Sequence, residues 1–112
     1  MSTAVKNILD HLRDDGGLQG KDIANIVSVS PTTVSRWSNG KATPDLRTQR
    51  VIAELRYVVD RLNEFYTPEE TRLWLHTGHP LLKGERAIDL INSGRTEEVL
   101  AVIENLDAAA YT

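Results

Sequence analysis

The sequence predicts an all-α protein with a short N-terminal motif of helices, a long central helix and a second helical region. Apolar residues recur at spacings of three and four along most of the chain, which is the period of one face of an α-helix. No alternating apolar and polar run is bounded by hairpin turn signals, so a β-sheet is not expected. Glycines, and hydroxyl residues followed by proline, divide the chain into separate helices.

The first three predicted helices are short and closely spaced. Apolar residues at i, i+3, i+4 and i+7 predict the first helix: Val5, Ile8, Leu9 and Leu12. Glycines at positions 16 and 17 end it. A second helix is predicted over residues 21–27. The third begins at Ser30-Pro31, where the hydroxyl caps the free amides and proline needs no N–H, and it ends at Asn39-Gly40.

A long helix is predicted over residues 44–66, with Thr43-Pro44 as its cap and start. It carries a broad apolar stripe: Val51, Ile52, Leu55, Val58, Val59, Leu62, Phe65 and Tyr66. Such a stripe suits either a dimer seam or the core onto which the rest of the chain packs. The core is favoured, because three apolar lines are too broad for a strict coiled-coil seam.

Three further helices are predicted in residues 67–112. Residues 67–70 (TPEE) combine a cap, a first-turn proline and a glutamate three residues after the cap, which is the capping-box pattern. A short helix over residues 87–91 ends at residues 92–94. The last helix is expected to follow a Thr96 cap, with a small-residue tail over residues 107–112. The predicted divisions are therefore 1–43, a connecting helix at 44–66, and 67–112.

Residues 18–41 have the pattern of a helix-turn-helix. This motif needs a small residue where its helices cross, a tight turn, and apolar anchors on the second helix. Ala24 supplies the small residue, residues 28–30 the turn, and Val34 and Trp37 the anchors. Ser28 is a departure, since such turns often carry glycine. Residues 18–44 resemble the Xre/Cro type of helix-turn-helix found in bacterial and phage regulators.

The outward side chains of this motif suit DNA. Eight are candidate DNA-binding residues: Ser30, Thr32, Thr33, Ser35, Arg36, Asn39, Lys41 and Arg47. Thr32, Thr33 and Arg36 are the expected base readers, while Ser30, Lys41 and Arg47 are expected to hold phosphates. The alternatives are an ordinary solvated face or a motif that contacts only proteins.

Charge is unevenly distributed along the chain. The net charge is −3, but residues 20–56 hold six basic and three acidic residues, whereas residues 57–112 hold five basic and ten acidic. This asymmetry favours two faces with different partners, DNA for the basic one, over ordinary surface variation.

The second half resembles the MbcA/ParS/Xre antitoxin toxin-binding domain. The residues that carry the likeness are Trp74, Leu75, His79, Pro80, Leu81, Leu82, Gly84, Asp89, Leu90, Ile91, Gly94, Val99 and Ile103. The resemblance implies the antitoxin of a RES-Xre pair, whose RES toxin consumes NAD. It also implies that the N-terminal domain represses the shared operon. Alanines stand at positions 87 and 109, where the family commonly has proline and glycine respectively.

The same resemblance implies that the C-terminal helix and tail, residues 99–112, block the toxin's active site, with Tyr111 as the aromatic plug. The implied toxin-binding residues are Trp74, His79, Leu81, Glu98, Val102, Asp107, Ala109, Tyr111 and Thr112. Acidic side chains on the last helix would complement a basic cleft. The alternatives are that Glu97 and Glu98 only favour the helix dipole, and that Trp74 is a core anchor.

Catalysis is not expected. A metal site at His76 and His79 is disfavoured, because Gly78 and Pro80 break the helical register that would align the two imidazoles. There is no cysteine and no nucleophilic constellation, and Gly78 and Gly84 occur singly, so they do not form a phosphate cradle. We therefore predict an antitoxin that is not an enzyme and has no cofactor or metal. The alternatives are a stand-alone transcriptional regulator, and a small enzyme or ligand sensor suggested by the two histidines.

The expected setting is the cytoplasm, since a chain without cysteine suits a reducing compartment. No apolar stretch approaches the roughly 20 residues needed to cross a bilayer, and the pattern of a secretion signal is missing. The expected partners are the toxin, operator DNA and a second copy, giving a homodimer within a larger assembly with toxin. Such a dimer would read half-sites roughly 10 base pairs apart.

Overall fold

The computed structural model describes the backbone of residues 3–110 and the side chains of residues 4–108. Within that range the chain is helical, as predicted, with one isolated β-bridge between Gly78 and Arg86. The helices are α1 (Thr3–Gly16), α2 (Gly20–Val27), α3 (Pro31–Ser38), α4 (Leu46–Leu62), α5 (Pro68–His76), α6 (Ala87–Asn92) and α7 (Thr96–Ala110), with a 3₁₀ turn at Pro80–Leu82.

The boundaries of α1 to α3 follow the predicted signals. α1 ends at Gly16, and Gly17 takes the left-handed conformation (φ +64°) that ends many helices. Ser28 also has a positive φ of 64°, which explains why glycine is common at this position of the motif. The Ser30 hydroxyl caps α3 by accepting from the Thr33 amide at 3.2 Å.

The predicted start of the long helix at Thr43-Pro44 is wrong. The helix begins at Leu46, because the Asp45 carboxylate is the cap and accepts from the Thr48 amide at 2.8 Å. Its end also differs: α4 stops at Leu62, so residues 65 and 66 lie beyond it. The stripe itself is core, as favoured, with its members on α4 buried: Val51, Ile52, Leu55, Val58, Val59 and Leu62.

The second half confirms one predicted cap and corrects another. The capping box of α5 is present, with Thr67 and Glu70 bonded to each other's backbone amides. Thr96, however, is the first residue of α7, and its hydroxyl donates to Glu54 Oε1 at 2.5 Å instead of capping the helix. α7 continues to Ala110, so the described part of the expected tail is helical.

α4 is the central element of a single core. α1 packs on one side of it, α6 and α7 pack on another, and α5 contacts both α1 and α6. The side chains of α2 reach the second half directly, through an ion pair between Asp22 and Arg72. The two halves are therefore joined by packing as well as by α4.

Within residues 3–110, none of the helices combines the length and hydrophobicity that crossing a bilayer requires.

Candidate functional site

The helix-turn-helix is held together by the predicted wedge of apolar side chains. Ala24 is fully buried where α2 and α3 meet, and Val34 and Trp37 are buried on the inner side of α3. The turn is closed by the Val29 amide, which donates to the Ala24 carbonyl at 2.9 Å. This packing fixes which side of α3 is turned outward.

The outer face of α3 carries the predicted polar set. Four of its side chains are exposed: Thr32, Ser35, Arg36 and Asn39. Ser30 and Thr33 are bonded to each other through their hydroxyls at 2.9 Å, so the Ser30 side chain is engaged in capping α3. The structure thus brings together a compact hydrogen-bonding face of the type that reads bases in the major groove.

Arg47 lies apart from this face. Its Nη2 donates to the Asn92 carbonyl at 2.8 Å, at the end of α6. This carbonyl belongs to the last turn of a helix, which carries a partial negative charge and attracts a guanidinium. The bond joins α4 to the second half, whereas Arg47 was expected to hold a phosphate.

Cations on the two halves have different surroundings. Lys21, Arg36 and Lys41 are exposed and make no ion pair with any side chain of residues 4–108. The second half, by contrast, neutralises its arginines in ion pairs: Arg61–Glu64, Arg72–Asp22, Arg86–Asp89 and Arg95–Glu98. Unpaired cations therefore lie on the helix-turn-helix, where they are available to phosphates, although Arg56 of α4 and Lys83 of the second half are also exposed and without an ion pair among the described side chains. Lys21 was counted in the basic segment of residues 20–56 but was not among the candidate DNA-binding residues.

The candidate partner-binding residues of the second half occupy three different surroundings. Trp74 and Val102 are buried in the core, while Leu81 is 68% exposed on the 3₁₀ turn. The His79 ring lies against the Trp74 ring with centroids 4.2 Å apart and the ring planes tilted by 39°, and its Nε2 bonds the Trp74 carbonyl at 2.9 Å. In the unbound chain Trp74 is thus a core anchor that positions His79.

The acidic candidates lie on α7. Glu98 is exposed and paired with Arg95, whose hydrogen bond holds the pKa of Glu98 below its usual value. Asp107 lies 3.8 Å from Arg61 of α4. The Ala109 side chain, Tyr111 and Thr112 lie outside the described residues.

The two histidines at the end of α5 bond backbone carbonyls. His76 Nδ1 bonds the Arg72 carbonyl at 2.8 Å, and His79 bonds Trp74 as described. In the described part of the chain no three His, Cys, Asp or Glu side chains are grouped so as to hold a metal ion. These contacts give both rings a structural role.

Residues 1–36 match a family model described as winged helix-turn-helix DNA-binding. The matched segment ends within α3, which is followed here by helix α4 and not by the β-hairpin of a wing. The wedge, the polar face of α3 and this match define the N-terminal part as a helix-turn-helix DNA-binding domain.

The comparison over the whole chain is more specific. The chain is 32% identical over 111 residues to the mycobacterial cidal antitoxin MbcA of Mycobacterium tuberculosis and of Mycobacterium bovis, covering 99% of this chain and 95% of the relative. A probable mycobacterial cidal antitoxin of M. tuberculosis is 36% identical over 107 residues, covering 96% and 90%. The chain belongs to the MbcA family of antitoxins, which confirms the resemblance drawn from the sequence.

A solved structure agrees over the full length. A chain in the crystal structure of the M. tuberculosis MbcT-MbcA toxin-antitoxin complex matches with a TM-score of 0.83 at 25% identity, covering 99% of this chain and 100% of that chain. The similarity therefore includes the second half as well as the DNA-binding motif.

Proposed function

We propose that this protein is the antitoxin of a toxin-antitoxin pair, that it binds its toxin through the second half, and that it binds operator DNA through α3. The observation that carries the proposal is the full-length similarity to a chain of the MbcT-MbcA toxin-antitoxin complex. The relatives are named antitoxins, which supports a role of binding and inhibition; on this proposal the protein acts in the cytoplasm and is not a catalyst.

The toxin-binding surface is proposed to centre on α7 and the residues after it. α7 presents exposed Glu98 and Glu104, and Leu81 is an exposed apolar side chain on the 3₁₀ turn. Acidic side chains with an apolar neighbour suit a basic, partly apolar cleft, such as one that holds the pyrophosphate of NAD. On this proposal the toxin consumes NAD, and residues 99–112, including Tyr111, obstruct its active site.

DNA binding is proposed to regulate the operon that encodes both proteins. The polar face of α3 would enter the major groove, with Thr32, Thr33 and Arg36 at base edges, and Lys41 would hold a phosphate. The unpaired charge of Lys21, Arg36 and Lys41 supports this assignment. Two copies would bind two half-sites about 10 base pairs apart.

Co-purification with the product of the neighbouring gene tests the toxin assignment. The tagged chain is co-expressed with that protein and captured at about 0.3 M salt, which suppresses bridging by DNA. We expect the full chain to retain the partner and a chain ending at Leu106 to lose it or to release its activity. Lys6→Ala, on α1, is the matched control. Recovery of the full chain alone would contradict the toxin assignment and favour a stand-alone regulator.

A further inference from the structure

A small cavity lies beside α5. Its lining comes from that helix and from the residues just before and after it: Tyr66, Glu70, Leu73, Trp74, Thr77 and His79. Positions 70, 73, 74 and 77 are spaced by three, one and three residues, so they lie along one side of α5 and its C-terminal cap. The volume is about 270 Å³, slightly below the range of about 300 to 1,000 Å³ that holds drug-sized ligands. We call this feature the α5 cavity, and its size suits a small ligand.

Aromatic rings form much of the wall of the α5 cavity. Tyr66 is half-buried, and Trp74 is only 9% exposed. The His79 ring lies 4.2 Å from the Trp74 ring, centroid to centroid, so the imidazole and the indole form one continuous aromatic wall. The face of an aromatic ring carries partial negative charge and attracts a cation.

The charge at the cavity also favours a cation. Glu70 lines it, whereas no lysine or arginine does so in the part of the chain that the structure describes. Glu70 Oε1 accepts from the Thr67 amide at 2.9 Å, and the carboxylate makes no ion pair with the side chains of residues 4–108. The negative charge of Glu70 is therefore available to a positively charged ligand.

The polar groups of the lining indicate which kind of cation fits. The Thr77 hydroxyl donates to the Leu73 carbonyl at 2.6 Å, and His79 Nε2 bonds the Trp74 carbonyl at 2.9 Å. A metal ion or a primary ammonium needs several acceptors in place of its water, and these engaged groups supply few. A quaternary ammonium has no N–H and needs no acceptor. Its methyl groups also suit Leu73, which is 66% exposed at the cavity.

We propose that the α5 cavity binds a small quaternary ammonium compound. The cation lies against the ring of Tyr66 and the joined rings of Trp74 and His79, with Glu70 as the nearby negative charge. Aromatic cavities of this kind recognise methylated ammonium groups because the rings attract charge while the methyl groups exclude water. The site goes beyond the proposed function and does not rest on it, since neither toxin nor DNA is needed to form it.

Calorimetric titration of the full chain with choline tests the proposal. The reference ligand is dimethylbutanol, the neutral isostere in which carbon replaces the quaternary nitrogen. We expect choline to bind about tenfold more tightly or better, because the two ligands differ in charge and hardly in shape. Equal affinities, or no binding of choline, would overturn the proposal.

A third ligand separates a small molecule from a protein contact. Arginine amide presents the guanidinium that an arginine of a protein partner would bring. We expect it to bind about fivefold more weakly than choline or worse, because the guanidinium keeps N–H groups for which the cavity has few acceptors. Tighter binding of arginine amide than of choline would overturn the assignment and make the cavity a contact for a protein.

Two substitutions of Tyr66 test the aromatic wall. Tyr66→Leu removes the ring but keeps an apolar side chain, and it should weaken choline binding by about tenfold or more. Tyr66→Phe keeps the ring and should bind choline as the wild type does. Circular dichroism confirms that both variants are folded. A Tyr66→Leu variant with wild-type affinity for choline would overturn the role of the ring.

A glutamate pair on α5 tests the charge. Glu70→Gln removes the carboxylate but can keep the capping box, because glutamine also serves at this position. It should weaken choline binding by about threefold or more and leave the binding of dimethylbutanol unchanged. Glu69→Gln is the matched control, since Glu69 is exposed on the same helix but does not line the cavity, and it should leave choline binding unchanged. Equal effects of the two substitutions would overturn the role given to Glu70.

Discussion

The Asp22 carboxylate of α2 holds the Arg72 guanidinium of α5, with Nη2 and Oδ1 2.9 Å apart. The other carboxylate oxygen accepts from the Gln19 backbone amide at 3.0 Å and lies 3.4 Å from Arg72 Nε. Asp22 is buried, whereas Arg72 is nearly half exposed. One carboxylate thus caps the first helix of the DNA-binding motif and ties that motif to the second half of the chain.

Arg72→Ala should destabilise the protein. The substitution leaves a buried carboxylate with only its backbone partner, which we expect to lower the free energy of unfolding by about 1 to 2 kcal/mol, since water reaches the arginine side of the pair. Urea unfolding followed by circular dichroism measures the change. Arg86→Ala is the control, because Arg86 pairs with Asp89 on the surface of α6, and its effect should stay below about 0.5 kcal/mol. Equal effects would contradict the role given to Asp22.

The contribution of this pair should disappear in acid. Burial by itself raises the pKa of Asp22, but hydrogen bonds from Arg72 and from the Gln19 amide outweigh it and hold the pKa below its usual value. A lowered carboxyl pKa in the folded state stabilises the protein above the unfolded pKa of about 3.9, and the stabilisation is lost as pH falls through the folded pKa. The stability difference between wild type and Arg72→Ala should therefore be constant near neutrality and shrink below about pH 4. A difference that is unchanged at pH 3 would contradict this.

Gly78 should not tolerate a side chain. A Cβ at this position would overlap the Gly84 carbonyl oxygen, where the loop before α6 folds back on the end of α5. Since backbone must move to relieve the overlap, Gly78→Ala should cost about 2 kcal/mol or more in thermal or urea unfolding. Gly84→Ala is the control: φ is +83° but nothing lies near its Cβ, so the cost should be only about 1 kcal/mol. The reverse order would refute the close approach of the two glycines.

Arg36→Ala should weaken and broaden DNA recognition. Arg36 is exposed on the outer face of α3 and makes no ion pair with the described side chains, so the substitution should leave the fold intact. The loss of a base contact should cost about 1 to 3 kcal/mol in operator affinity and relax the sequence preference at one position. Fluorescence anisotropy with operator and scrambled duplexes measures both. Unchanged affinity for the operator would exclude the assigned role.

Lys41→Ala should weaken binding to operator and scrambled DNA alike. A lysine that neutralises one phosphate contributes to affinity without reading sequence, and its removal should lower the slope of log affinity against log salt by about one. Titrations at several salt concentrations give this slope. Arg13→Ala, which removes an exposed arginine of α1 paired with Asp10, is the control and should leave the slope unchanged. A loss confined to the operator would instead make Lys41 a base reader.

Local signals predicted most of the helices. Ser30 and residues 67–70 were identified as helix starts because capping is a short-range interaction between a side chain and nearby amides. The start of α4 was misplaced because Thr43-Pro44 and Asp45 both carry a start signal, and only the carboxylate reaches the Thr48 amide. Thr96 was misassigned for a different reason: its hydroxyl bonds Glu54, which is 42 residues earlier in the chain.

Long-range contacts also limited what could be predicted about the functional residues. The outer face of α3 could be derived from the positions of Val34 and Trp37, because the helical period fixes the opposite side. The bond from Arg47 to the Asn92 carbonyl, and the exposure of Tyr57 beside Leu100, both depend on how α4 packs against α6 and α7. Such packing has no signature in a local pattern, so both features emerge only from the folded chain.

Inhibition of the toxin itself tests the proposed function. Purified protein is titrated into the product of the neighbouring gene while the consumption of NAD is followed, with a chain that ends at Leu106 in parallel. We predict that the full chain abolishes NAD consumption and that the shortened chain does not. Persistent NAD consumption at saturating full-length protein would contradict the proposal that this chain inhibits an NAD-consuming toxin.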